Sequence, residues 1–109
     1  MVETTGFAVV LVTASGADEG SRITSLILEK RLAACVNIVP KVSSLFWWQG
    51  KIDAADEVLL IIKTRASRVK DIVDAVKSVH SYTVPEVIAL PIIAGNEGYL
   101  DWVAGEVRE

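Results

Sequence analysis

Glu57-Val-Leu-Leu-Ile-Ile-Lys63 is the stretch that decides the fold of this chain. Between its charged ends, both alternating positions are apolar. Successive side chains of a strand point to opposite faces of the sheet. A strand built this way needs apolar cover on both sides. Phe7-Ala-Val-Val-Leu-Val12 and Val87–Ile93 have the same character, the latter within a fourth strand expected from Glu86 to Ile93. The chain is therefore read as a sheet that is greasy on both faces.

Working outward, Thr13 to Gly16 break the first strand. Asp18-Glu19 open a helix and Lys30-Arg31 close it, an order that complements the helix dipole. Ile23, Leu26 and Ile27 give that helix an apolar face. Ala34 to Trp48 is a second extended stretch, in which Pro40 marks a bulge or an edge because proline cannot donate to a ladder. Gln49-Gly50 reads as a turn, and Lys51 begins the return strand that contains the opening segment. Ser67 is expected to cap the next helix. Val69, Ile72, Val73, Val76 and Val79 form its apolar stripe. His80 to Pro85 is a loop, since the residue before a proline avoids the helical region. Pro91 places the fourth strand at an edge or a bulge. Gly95-Asn96 stop that strand, Asn96 serves as a cap, and Tyr99 to Val107 form a short closing helix.

The expected order is β-α-β-β-α-β followed by a helix. That is an α+β, ferredoxin-like sandwich in one domain, residues 1–109. Two right-handed crossover helices would cover one face of the sheet. The closing helix is too short to cover the other. Soluble monomers expose contiguous apolar patches of only a few hundred Å², so another copy of the same chain is the simplest cover.

Composition agrees. Apolar residues make up 51% of the 109 positions, and the mean hydropathy is +0.42. The apolar runs are far shorter than the roughly 18 residues a membrane-spanning helix needs, so no membrane span is expected. Met1-Val2-Glu3-Thr4-Thr5 lacks the basic start of a signal peptide. Net charge is −3 without a basic stripe, which argues against nucleic acid as a partner. A single cysteine excludes an intrachain disulfide and fits a reducing, cytoplasmic setting.

Few residues suggest chemistry. His80 is the only histidine. At the end of a helix it is favoured by the dipole, and it would also serve as a metal ligand or proton carrier. Cys35 reads as a small buried hydrophobe or as a soft ligand. Trp47 and Trp48 at the hairpin tip would pack over the sheet end, over a neighbouring subunit, or as a wall for a ligand. Lys63, Glu86 and the Tyr82-Thr83 loop would form a polar cluster or plain surface. No catalytic motif is present: no HExxH, no nucleophile elbow, no P-loop. Gly16 to Gly20 would suit an anion at a helix start, but Asp18 and Glu19 oppose it. The chain is read as a non-enzyme. Its only Cys and His side chains are Cys35 and His80, so a metal site would need carboxylates or more than one subunit.

Leu32-Ala-Ala-Cys-Val-Asn-Ile-Val-Pro40, Phe46-Trp-Trp-Gln-Gly-Lys-Ile52, Ile62-Lys-Thr64, His80-Ser-Tyr-Thr-Val-Pro-Glu86, Leu90-Pro-Ile92, Gly95-Asn96 and Tyr99-Leu-Asp-Trp102 occur in this order. Together they resemble the CutA divalent-cation tolerance family across nearly the whole chain. The resemblance implies a homotrimer similar to the PII signalling proteins. It also implies a pocket near subunit interfaces drawing on Cys35, Trp48, Lys63, His80, Tyr82 and Glu86. Its implied cofactor is copper or another divalent cation, with His80 as the metal ligand. Copper ligands assigned in some bacterial relatives fall here on Val12, Val79 and His80, so two of the three are apolar. The alternative reading is a non-catalytic trimeric scaffold, or a PII-like signalling protein that acts through a protein partner.

Overall fold

The computed structural model describes residues 5–109; the reading of the N-terminal segment falls on residues 1–4, outside the described residues. The elements are β1 (Phe7–Ala14), α1 (Ala17–Glu29), β2 (Cys35–Trp48), β3 (Lys51–Arg65), α2 (Val69–Val79), β4 (Val87–Pro91) and α3 (Glu97–Glu106). The strands form one antiparallel sheet in the order β2-β3-β1-β4. The fold is α+β.

Strand parity sorts the side chains. Val10, Val12, Leu60 and Ile62 point to one face and are fully buried. Ile23 and Ile27 of α1 and Ile72 and Val76 of α2 complete that core. Each such side chain contributes roughly 1.5–3 kcal/mol by leaving water. Gly20 lets α1 approach β3 closely: a Cβ there would meet Val58 Cγ1 at 3.1 Å.

The opposite face carries Val9, Leu11, Leu59 and Ile61, all half-buried. Register places Ile88 beside Leu11 and Leu90 beside Val9, on this same face. Both are 52% exposed. α3 packs against β3 through this region and buries Val103 and Val107, yet leaves Trp102 45% exposed. The closing helix therefore covers only part of the face.

Gln49 and Gly50 have φ of 49° and 79°. Two consecutive left-handed residues make the tight two-residue turn that suits the twist of a hairpin. Trp48 pairs with Lys51 across it. β1 ends opposite Val58, so from Val42 and Glu57 onward the hairpin continues as a two-stranded arm. The ladder shifts register between Val39 and Val42, where Pro40 sits. Pro91 ends β4. Both prolines lie on edge strands, as their missing N–H requires.

Several sequence expectations are corrected. β1 does not break at Thr13: Thr13 and Ala14 belong to the strand and are buried. Ser67 does not cap α2; it lies in a short 3-10 turn, Ala66–Arg68, and Arg68 takes the cap position. Lys30 and Arg31 fall just beyond α1, with Arg31 left-handed at φ 58°. Glu86 lies outside β4. Asn96 does cap α3, its side chain accepting from the Tyr99 N–H at 3.2 Å.

Candidate functional site

The chemistry-bearing residues fall into two clusters and one outlier. The first cluster gathers where β1 ends, α1 begins and α2 ends. The C-cap residue of α2 is His80, whose extended backbone turns its ring back toward β1. The ring is fully buried. Its Nδ1 accepts the Tyr82 N–H at 3.0 Å, which fixes the proton on Nε2. Nε2 then donates to the Thr13 carbonyl at 2.7 Å. Both nitrogens are spent inside the chain.

Glu19, on the first turn of α1, is 4% exposed. One oxygen accepts the Ser15 N–H at 2.9 Å and the other the Ser81 N–H at 2.8 Å. Oε1 also lies 3.5 Å from His80 Nε2. Burial alone would raise the Glu19 pKa. The Ser15 N–H, the two Ser81 contacts and the nearby His80 outweigh burial and hold it at about 2. Glu19 thus ties the loop after β1 to the loop after α2. Tyr82 packs against His80 with ring centroids 4.7 Å apart and planes tilted by 51°, and donates its hydroxyl to Glu57 Oε2 at 3.0 Å. Glu57 is buried, and Glu86 is exposed, just before β4.

The second cluster lies toward the C-terminal end of β3, separated from Glu57 in mid-strand by Val58–Ile62, roughly 20 Å at ~3.3 Å per residue. Cys35 and Lys63 face each other across β2 and β3. The Lys63 ammonium lies 3.9 Å from Cys35 Sγ. Tyr99, from α3, sits against the same sulfur: burial first, and then Cys35, pushes its phenol pKa up. Trp48 is the outlier. It stands 60% exposed at the hairpin tip, roughly 40 Å along β2 from Cys35.

One chain therefore brings together His80 and Tyr82, and separately Cys35 and Lys63. It does not bring Trp48 to either group. Two surface depressions of about 540 and 520 Å³ lie elsewhere, the first lined by Lys30, Arg68 and Arg108 among others, the second by Asp18 and Arg22 among others. Neither contains any of the six expected pocket residues.

Sequence reasoning missed Glu19, Glu57 and Tyr99. Two of these carried a signal. Glu19 shares the helix face of Ile23 and Ile27, and Tyr99 that of Val103 and Val107, by i, i+4 spacing. A polar residue on a core-facing stripe is the kind that must find partners.

Burial first, then the bond to Glu57, also raises the Tyr82 pKa above its ordinary 10.0. Both tyrosines of the chain are thus held in the neutral form when folded. Their contribution to stability is complete below pH 10 and is lost as pH rises through the folded values. Tyrosinate absorbance of the folded protein should therefore appear at higher pH than in the urea-unfolded chain. Coincident curves would contradict the two contacts.

The family model of the CutA1 divalent ion tolerance protein matches residues 8–106. The chain belongs to this CutA1 family. It is 50% identical over 101 residues to the chloroplastic protein CutA 1 of Oryza sativa subsp. japonica, covering 93% of this chain but only 57% of that protein. It is 48% identical over 94 residues to the divalent-cation tolerance protein CutA of Archaeoglobus fulgidus, covering 86% of this chain and 91% of that one. The chain thus spans little more than half of the rice relative and most of the archaeal one. The crystal structure of CutA1 from Oryza sativa superposes with a TM-score of 0.93 at 48% identity over 97% of each chain. That of the Archaeoglobus fulgidus protein, described as periplasmic, superposes with a TM-score of 0.91 at 44% identity, over 94% of this chain and 99% of that one. Among the described residues no helix is long and apolar enough to cross a membrane.

Membership in a family named for divalent-cation tolerance raises the question of a metal site. Among the described residues, no three His, Cys, Asp or Glu side chains converge as a cation would require. Val12 is fully buried in the core, Val79 packs against it, and His80 has no free lone pair. The described residues of this one chain do not fit a resident metal.

Proposed function

We propose that this CutA1 chain acts as a cytoplasmic, non-catalytic homotrimer of ferredoxin-like subunits in divalent-cation tolerance, binding a small ligand at its subunit interfaces. The observation that carries the reading is the partly covered sheet face, on which Ile88 and Leu90 of β4 stand half-exposed. Partner copies on that face would bury these side chains. They would also give Trp48 on its projecting arm a second subunit to reach, which one chain denies it. A pocket combining Trp48 with Tyr82 and Glu86, or with Cys35 and Lys63, needs more than one copy. Copper or another divalent cation would likewise need ligands from several copies. A second reading, a scaffold for a protein partner, is favoured by Leu45, Trp47 and Ile52. They are 72%, 74% and 65% exposed on the arm, on the side opposite Phe46 and Trp48.

Sedimentation equilibrium combined with native mass spectrometry tests this. The expected result is a particle three times the 11.8 kDa chain mass, carrying a small-molecule adduct. A monomer at micromolar concentration would sink the assembly. A trimer that retains only a protein partner would favour the scaffold.

A further inference from the structure

We infer that Lys63, Cys35 and Tyr99 form a receptor for a small oxyanion, a carboxylate or a phosphate. The inference deepens the ligand-site reading and rests on it for the cover over this face. The row across the sheet at this level reads Cys35, Lys63, Val9, Leu90. Lys63 thus places a cation in an otherwise apolar row of the sheet face opposite α1 and α2.

Neighbouring cations are already satisfied. Arg65, two residues along β3, donates to the Ala104 carbonyl and pairs with Glu109 at 3.2 Å. Arg31 pairs with Glu106 at 2.7 Å. Lys63 has no carboxylate within ion-pair distance among the described residues; its closest polar contact is the sulfur at 3.9 Å. Beside it stands the Cys35 thiol, which in turn interacts with the Tyr99 phenol. An ammonium, a thiol and a phenol supply hydrogens for donation and no negative charge. Covering this face removes water from the ammonium, and a buried charge is retained only with a counter-charge and hydrogen bonds. An oxyanion supplies both, through charge-assisted bonds. A metal cation is repelled by the same ammonium, so this end of the sheet selects anions.

Cys35 is the only cysteine of the chain, which makes it a built-in reporter. Its alkylation by iodoacetamide should be slowed several-fold by inorganic phosphate or succinate, in a saturable manner, and not by sodium chloride at matched ionic strength. Phosphate acting alone, or succinate alone, would name which oxyanion the site takes. In Lys63→Met the apparent affinity of the effective anion should fall on the order of tenfold or more. In Lys63→Arg it should be largely kept. Protection no greater than that from chloride, or undiminished in Lys63→Met, overturns the receptor. If Cys35 is unreactive throughout, anion-dependent thermal stabilisation, compared between native protein and Lys63→Met, decides in the same way. The cluster lies within one chain, so sedimentation run in parallel separates the two ideas. A monomer that is protected overturns the assembly alone. An unprotected trimer overturns the receptor alone.

Discussion

Glu19→Gln is expected to cost about 3 kcal/mol of folding stability at neutral pH, measured by urea denaturation. The magnitude follows from the carboxyl being held at about 2 against an ordinary 4.5, at ~1.4 kcal/mol per unit. With 4% exposure, solvent screening takes little away. Glutamine keeps one acceptor oxygen but turns an NH₂ toward either Ser15 or Ser81, whose N–H then has no partner. The pH dependence gives a second signature. A carboxyl with a depressed folded pKa stabilises fully above the unfolded value and loses that contribution as pH falls from about 4.5 toward 2. The native protein should therefore weaken over this window more steeply than Glu19→Gln, and the two stabilities should converge at its acid end. Parallel curves for the two proteins would show that the carboxylate is not the latch described.

Replacing Ile88 and Leu90 together by aspartate is expected to give an 11.8 kDa particle that keeps its secondary structure. Both side chains are half-exposed in one chain, so a single subunit tolerates the change. In the proposed assembly each would contribute about 1 kcal/mol by completing its burial. Each aspartate would instead cost several kcal/mol if buried without a partner. Summed over all copies, that is enough to dissociate the particle. Leu60→Ala is the control, because Leu60 is fully buried under the helices. It should lower the unfolding midpoint by about 2–5 kcal/mol of stability and leave the particle mass unchanged. If the double aspartate variant keeps the mass of the native protein, the interface lies elsewhere.

The element order and the helix stripes were legible because they repeat over many residues. Ile72 and Val76 both proved buried, and Pro40 sat at the register shift. Local boundaries were harder to read. Thr13 and Ala14 look like strand breakers, yet pairing with Leu59 and Val58 holds them in β1. Ser67 looks like a cap, yet the chain enters α2 through a 3-10 turn that the helical pattern does not reveal. The polar cluster was only half legible. His80 and Tyr82 stood out as unusual residues in a loop, while their partners Glu19, Glu57 and the Thr13 carbonyl come from elements distant in sequence. The orientation of the His80 ring depends on a backbone carbonyl from β1, and residue types do not encode that.

The Gln49-Gly50 turn also favours early pairing of β2 with β3 during folding. A ladder closed by two residues loses little chain entropy on forming, and isolated hairpins form in roughly 1–10 μs. β4, by contrast, must bring Pro91 to Ala8 at the far end of the chain, and such distant pairing is slow. The β2–β3 ribbon is therefore expected to form before its neighbours reach it, with Leu45, Trp47 and Ile52 in water. In that interval it is the segment most prone to join a ribbon from another nascent chain. Pro40, Lys41, Asp53 and Asp56, placed along the same ribbon, are the residues that discourage such mispairing.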